Sequence, residues 1–186
     1  GSEMCIRDRC GKMLVATSAL EVERMALLHE RCQSNDLPVE KLSASALTER
    51  EPNIVGKGAL FVPTTGIVDY VALSHAMAAE IVEKSGEIYF GSAVRSISER
   101  NTEVVVETSD RTLHAKYLVV CGGLQADRLA KMAGIEVDFA IIPFRGEYYR
   151  LAPEHDKIIN HLIYPIPDPD LPFLGVHLTK MVEGYV

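Results

Sequence analysis

The chain has 186 residues, of which 47% are hydrophobic and 24% charged, a composition typical of a folded globular protein. Its formal net charge of −7 argues against nucleic acid or an anionic membrane surface as the main partner, because both attract basic faces. No apolar run is long enough for a membrane span. The four cysteines lack metal-ligand spacing, so we expect no metal site and reduced thiols in a cytoplasmic setting.

The first ten residues, GSEMCIRDRC, show neither helical nor strand periodicity. They also lack the apolar stretch of a signal peptide. We therefore interpret residues 1–10 as a non-native remnant and leave them outside the fold prediction.

A strand and two helices are predicted next. Residues 12–17, KMLVAT, have the composition of a short strand. Ser18 and Glu21 have the spacing of a capping box, which predicts that a helix begins there. A second helix is expected over 44–51, where Pro52 stops it.

The pattern then gives another strand and helix. Residues 60–62 form the predicted strand, and turn residues follow it. Asp69 is placed to cap the next helix, and Gly86 is expected at its C′ position.

From residue 87 the apolar pattern has a period of two, which predicts three strands within 87–121. The last of them ends in an uninterrupted apolar run at 118–121, as expected of a strand buried on both faces of a parallel sheet. Proline-rich turns and alternating residues over 141–180 predict a separate antiparallel sheet.

Gly122 and Gly123 lie between that apolar run and a predicted helix, an arrangement found at nucleotide sites of open α/β sheets. A ligand can approach a glycine backbone closely, and the N-terminus of a helix favours phosphate. A plain turn explains the same glycines, and the chain contains no GxGxxG. These residues alone leave the nucleotide site open.

Two side chains in the C-terminal part could carry chemistry. Arg145 presents a guanidinium fork that suits a carboxylate, and a solvated or ion-paired arginine is the alternative. His177 ends an apolar stretch, and an imidazole can accept a proton from an alcohol. A packed core histidine explains the same pattern, since one histidine on a strand specifies no mechanism.

The chain contains, in order, CGKMLVATS, EREPNI, FVPTTGIVDY, CGGLQADRLAKMAG, PFRGEYYRLAPEH and NHLIYPIPDPDLPFLGVHLT. In these stretches it resembles the L-2-hydroxyglutarate oxidase/dehydrogenase family, FAD enzymes of the D-amino-acid-oxidase-like superfamily. The resemblance covers about residues 10 to 186. It is most specific in RGEYYRL followed by YPIPDP and PFLGVHLT.

The resemblance implies an α/β (α+β) fold, with part of a Rossmann-like FAD-binding domain and a β-rich substrate-binding domain. Residues 11–63 and 137–186 would belong to the substrate domain, the second as an antiparallel part, and 64–136 to the FAD-binding domain. The family's GxGxxG lies upstream of this segment, and its chain continues further downstream. We therefore expect an internal fragment that is inactive alone.

The implied reaction oxidises L-2-hydroxyglutarate to 2-oxoglutarate, with FAD accepting a hydride and oxygen or a quinone accepting the electrons. His177 would act as the base. The resemblance assigns substrate contacts to Arg145, Tyr148 and Tyr164, and FAD contacts to Val94, Cys121, Gly122 and Gly123.

Two alternatives stay open from the sequence. A flavin-dependent amino-acid or glycerol-3-phosphate oxidoreductase would share the fold and the PFRG stretch. The second alternative is that the chain is a truncated fragment that neither binds FAD nor catalyses a reaction. A cytoplasmic location is expected, and segments outside this sequence could attach the protein peripherally to a membrane.

Overall fold

A computed structural model describes residues 6–171 and 175–186. The chain divides into two compact units. The first unit comprises the residues up to Met77 together with Tyr149–Val186, and the second unit is Ala78–Tyr148. Helices and sheets are mixed along the chain, which confirms the α/β (α+β) class. The assignment of parts of the chain to FAD-binding and substrate domains stays a prediction.

A four-stranded sheet forms the centre of the first unit. Its order across the sheet is β3 (Glu40–Ser43), β4 (Gly58–Val62), β2 (Lys12–Ala16) and β9 (Leu162–Pro165). The β3–β4 and β4–β2 pairs are antiparallel, whereas β2 and β9 run parallel. Two segments far apart in the sequence thus form adjacent strands.

One face of the sheet is covered by α1 (Ala19–Ser34) and is called the α1 face. The opposite face is covered by α2 (Ala44–Arg50) and is called the α2 face. The buried residues on the α1 face are Ala16, Met25, Leu60 and Ile166. Those on the α2 face are Met13, Val15, Leu42, Leu47, Ala59, Ile159, Ile163 and Val186. Side chains alternate along a strand, so Lys12 lies on the same face as Leu14 and Ala16.

Local sequence signals set the helix ends in this unit. The Ser18 hydroxyl accepts the Glu21 N–H at 3.2 Å, and the Glu21 carboxylate accepts the Ser18 N–H at 2.9 Å, which confirms the capping box. The second predicted helix is confirmed as α2, which ends one residue earlier than expected. The predicted strands at 12–17 and 60–62 are observed as β2 and β4.

The helix α3 (Tyr70–Glu83) contains the boundary between the two units. Asp69 caps it as predicted, since its Oδ1 accepts two backbone N–H groups of the first turn, each at 2.9 Å. The predicted C′ residue is wrong. Ser85 adopts the left-handed conformation with φ 63°, and Gly86 follows it, donating its N–H to the Ile81 carbonyl at 2.8 Å.

A short strand lies within the segment that the sequence analysis set aside. β1 (Ile6–Asp8) pairs antiparallel with β5 (Ile67–Val68). A strand of three residues is too short to show a period, and its pairing with a distant segment is not visible in the sequence. The proposed non-native origin of the first ten residues stays a prediction, and residues 1–5 lie outside the described part.

The second unit contains a three-stranded antiparallel sheet and a short helix. β6 (Val94–Glu99), β7 (Val104–Thr108) and β8 (Thr112–Ala115) pair in sequence order. α4 (Ala126–Met132) follows them. The period-two pattern therefore predicted these strands correctly.

The buried strand predicted for 118–121 is wrong. This segment forms no strand, and Leu118, Val119 and Val120 are 39%, 83% and 41% exposed. An apolar run becomes a buried strand only when a neighbouring strand can pair with it, and none of the described residues does so.

The separate antiparallel sheet predicted for 141–180 is also wrong within the described residues. Residues 141–150 adopt no regular structure, and β9 joins β2 in parallel. Alternation indicates which residues suit a strand but does not identify the partner strand. No helix among the described residues has the length and apolar character needed to cross a bilayer.

Candidate functional site

Tyr164 and His177 come together on the α1 face. Tyr164 lies opposite Leu14 in the β2–β9 pair. Leu178 forms an antiparallel bridge with Ile163, which brings the preceding histidine beside β9. The Tyr164 and His177 rings stack with their centroids 4.4 Å apart and their planes at 15°. The structure therefore unites two of the predicted site residues.

The backbone at Gly175 orients the imidazole of His177. The His177 Nδ1 lies 2.9 Å from the Gly175 carbonyl oxygen. A carbonyl can only accept a hydrogen bond, so Nδ1 carries the proton and the lone pair of a neutral ring is on Nε2. A Cβ at Gly175 would lie 2.9 Å from the Pro165 Cγ, so a larger residue here would force the proline ring or the backbone to shift.

Lys12 is a cation beside this aromatic pair that the sequence analysis missed. Its Nζ lies 5.2 Å from the centroid of the Tyr164 ring. The side chain is partly buried, and among the residues described no carboxylate forms an ion pair with it. The predicted strand at 12–17 includes Lys12, but only the β2–β9 pairing reveals its neighbour.

The loop that follows β9 is tied to α1. Asp168 Oδ1 accepts the Asp170 N–H at 3.0 Å, and its Oδ2 lies 2.9 Å from the Arg24 Nη1. The Asp170 N–H and then the Arg24 guanidinium hold the pKa of the Asp168 carboxyl below its ordinary value. The proline-rich loop is thus anchored by charge at the α1 face. Residues 172–174, which begin the apolar run before His177, lie outside the described part.

A buried carboxylate, also missed from the sequence, fixes the start of β9 from the α2 face. Glu51 is fully buried, and its Oε1 accepts the backbone N–H of His161 at 2.6 Å and that of Asn160 at 2.9 Å. The His161 Nδ1 lies 2.6 Å from the same oxygen. The His161 ring also packs edge-on against Phe61, with the centroids 5.0 Å apart. A glutamate before a proline at a helix end was the available signal.

Arg145 and Tyr148 belong to the second unit. Both lie in the irregular segment 141–150, with the Arg145 side chain 87% and Tyr148 80% exposed. The Arg145 Nη2 lies 3.9 Å from the Glu147 carboxylate, at the limit of an ion pair. Their participation in one substrate site with His177 stays a prediction.

The predicted FAD contacts, Val94, Cys121, Gly122 and Gly123, also lie in the second unit. A Cβ at Gly122 would lie 2.3 Å from the Leu129 Cδ1, so a larger residue here would require the Leu129 side chain to move. Gly123 has φ 53°, and a Cβ there would meet no atom within 4 Å. Its accessible backbone fits a close contact with a cofactor. Val94 begins β6 and is 36% exposed.

Curated relatives match nearly the whole chain. L-2-hydroxyglutarate dehydrogenase of Salmonella houtenae is 56% identical over 180 residues, which are 96% of this chain and 43% of the relative. The Escherichia coli K12 protein of the same name is 54% identical with the same coverage. The mitochondrial Homo sapiens protein is 32% identical over 96% of this chain and 41% of its own length. The chain thus spans less than half the length of these relatives.

Solved structures support the same fold at low sequence identity. L-alpha-glycerophosphate oxidase from Mycoplasma pneumoniae, with FAD bound, aligns with a TM-score of 0.76 and 21% identity, covering 94% of this chain and 47% of that protein. Glycine oxidase from Geobacillus kaustophilus gives a TM-score of 0.69 and 21% identity, covering 83% and 42%. Residues 1–186 match the family described as FAD dependent oxidoreductase. The chain therefore belongs to the FAD dependent oxidoreductase family.

Proposed function

We propose that the full-length protein containing this chain binds FAD and oxidises L-2-hydroxyglutarate to 2-oxoglutarate. The observation that carries this proposal is the stacked Tyr164–His177 pair, in which the Gly175 carbonyl sets the tautomer of the histidine. The high identity with relatives named L-2-hydroxyglutarate dehydrogenase supports the choice of substrate.

Oxidation of a secondary alcohol requires removal of a proton from its oxygen and a hydride from its carbon. FAD, when bound, supplies the hydride acceptor. His177 Nε2 takes the hydroxyl proton, because Nδ1 already carries one. The resulting imidazolium donates from Nδ1 to the Gly175 carbonyl, which stabilises the charge.

Tyr164 keeps the imidazole in place. The near-parallel contact covers one face of the His177 ring and limits its rotation. The position of Nε2 is then fixed by the stacking and by the Nδ1 contact. A base held in this way loses less freedom when the substrate binds.

The remaining roles extend this proposal to the second unit. Arg145 supplies a guanidinium fork for one substrate carboxylate, and Tyr148 supplies a hydroxyl. FAD contacts fall on Val94, Cys121, Gly122 and Gly123, where the open backbone at Gly123 supports a close approach. We also propose that the protein is cytoplasmic and passes electrons to oxygen or a quinone. Peripheral attachment to a membrane is the alternative location.

The proposal is tested on the purified full-length protein loaded with FAD. L-2-Hydroxyglutarate, D-2-hydroxyglutarate, glycerol 3-phosphate and glycine are each added without oxygen, and the flavin spectrum and the product are recorded. We expect reduction by L-2-hydroxyglutarate, with one 2-oxoglutarate formed for each flavin reduced. Reduction by glycerol 3-phosphate or glycine instead would show that the protein is a glycerol-3-phosphate or amino-acid oxidoreductase. A protein that binds FAD but is reduced by none of the four compounds would contradict the proposal.

A further inference from the structure

Lys12 combines three properties that an ordinary surface lysine lacks. It begins β2, a strand at the centre of the sheet. Its side chain lies on the α1 face, as do those of Leu14 and Ala16. Its side chain is partly buried. Its ammonium lies 5.2 Å from the Tyr164 ring centroid, and the same ring stacks on His177. The cation and the imidazole therefore share one aromatic neighbour.

Lys12 has no acidic partner among the side chains that the structure describes, which are those of residues 9–171 and 175–186. Within the described ranges, no aspartate or glutamate oxygen forms an ion pair with its Nζ. An aromatic ring attracts a cation but does not cancel its charge. A partly dehydrated ammonium attracts an anion more strongly than one in open water, because the effective dielectric constant is lower.

The dicarboxylate substrate proposed above matches this arrangement. In 2-hydroxyglutarate, two methylene groups separate the carbon bearing the hydroxyl from the distal carboxylate. When the hydroxyl lies at His177, a carboxylate on the same short molecule can reach a cation that contacts the neighbouring tyrosine. A monocarboxylic 2-hydroxy acid of equal length cannot use such a cation.

We propose that Lys12 is a substrate-binding and specificity-determining residue whose ammonium binds the distal carboxylate of the dicarboxylate substrate. The proposal rests on the function proposed above and adds to it the group that distinguishes dicarboxylates from monocarboxylates. Tyr164 positions the ammonium, and the carboxylate supplies a counter-charge that no described side chain provides.

The test measures binding separately from oxidation. The FAD-loaded full-length protein is titrated with glutarate and with pentanoate in a calorimeter, and its flavin reduction by L-2-hydroxyglutarate is recorded. Three variants are compared with the parent. Lys12→Met keeps the apolar stem, Lys12→Arg keeps the charge, and Lys57→Met removes an exposed lysine at the opposite end of β2.

We expect the parent to bind glutarate more tightly than pentanoate and Lys12→Met to lose roughly 10- to 100-fold in glutarate affinity, while its pentanoate affinity stays unchanged. Lys12→Arg should recover much of the loss, and Lys57→Met should behave as the parent. The KM for L-2-hydroxyglutarate should rise in Lys12→Met by a similar factor.

Equal glutarate affinity in the parent and Lys12→Met would overturn the inference, as would equal affinity of the parent for glutarate and pentanoate. Glutarate binding that depends on Lys12, in a protein that L-2-hydroxyglutarate does not reduce, would support the carboxylate site and refute the proposed reaction. A parent that is reduced by L-2-hydroxyglutarate, with Lys12→Met unchanged, would support the reaction and refute the role of Lys12.

Discussion

Gly175 determines where the imidazole of His177 lies. An alanine there would place its methyl group 2.9 Å from the Pro165 Cγ, in a ring that cannot rotate away. We expect Gly175→Ala to displace the carbonyl that accepts from His177 and to slow flavin reduction by roughly 10- to 100-fold. The cost to the free energy of unfolding should be about 1–3 kcal/mol. Stopped-flow reduction and denaturant unfolding of the full-length protein measure the two effects.

Pro165→Ala provides the matched control for this substitution. It removes the Cγ that the new methyl group would meet, so the Gly175→Ala/Pro165→Ala double variant should recover part of the lost rate. Additive effects of the two substitutions would show that the contact with Pro165 does not position His177.

Single residues of the site differ in how far the sequence predicts them. The sequence pattern singled out His177 but left a packed histidine as the alternative, because a lone histidine specifies no chemistry. Its role as the base, and Tyr164, came from the family resemblance. Lys12 and Glu51 were missed, since each acquires its partner from residues more than a hundred positions away. The sequence pattern assigns a side chain to a face, but the cross-strand neighbour depends on a non-local pairing.

Among the elements, the junction of α2 with β9 depends on Glu51. Its carboxylate accepts two backbone N–H groups at the start of β9 and contacts the His161 ring. We expect Glu51→Ala to lower the free energy of unfolding by about 3–5 kcal/mol, because it leaves buried donors without an acceptor. Glu49→Ala, an exposed glutamate of the same helix, should change it by less than about 0.5 kcal/mol. Equal effects in the two variants would contradict the anchoring role.

The stability contributed by Asp110, in the turn between β7 and β8, decreases at low pH. The Arg111 guanidinium, 2.7 Å from Asp110, is the main cause that lowers the pKa of this aspartate from 3.8 to about 2. Because the folded pKa is depressed, the stabilisation is present above the ordinary value and is lost as the pH falls through about 2. NMR titration of the Asp110 carboxyl should give a pKa about 2, and Arg111→Gln should raise it. A carboxyl that titrates at its ordinary value would refute this contact.

Elements were predictable where the signal is local. The capping box of α1, the Asp69 cap of α3 and the strands β6–β8 all follow from neighbouring residues. The failures, at 118–121 and 141–180, concern which strand lies beside which. Burial and pairing depend on partners that the segment itself does not specify.

At the scale of the whole molecule, the described residues expose apolar side chains along α3. No residue of α3 is buried, and Tyr70, Val71 and Val82 are 72%, 67% and 60% exposed. No GxGxxG is present in the 186 residues, so the turn that binds a pyrophosphate is missing from this sequence. We expect the 186-residue chain to be purified without FAD and to bind an apolar dye. A stoichiometric flavin spectrum in that preparation would contradict this expectation.

The proposed role of His177 as the base is tested most directly by the rate of flavin reduction in the His177→Gln variant. The FAD-loaded full-length protein is mixed with L-2-hydroxyglutarate without oxygen in a stopped-flow instrument, beside the parent and His155→Gln, which replaces an exposed histidine of the same unit. We predict that His177→Gln keeps its FAD and is reduced about 100-fold or more slowly, whereas His155→Gln matches the parent. Reduction of His177→Gln at the parent rate would show that the histidine packs against Tyr164 and takes no proton.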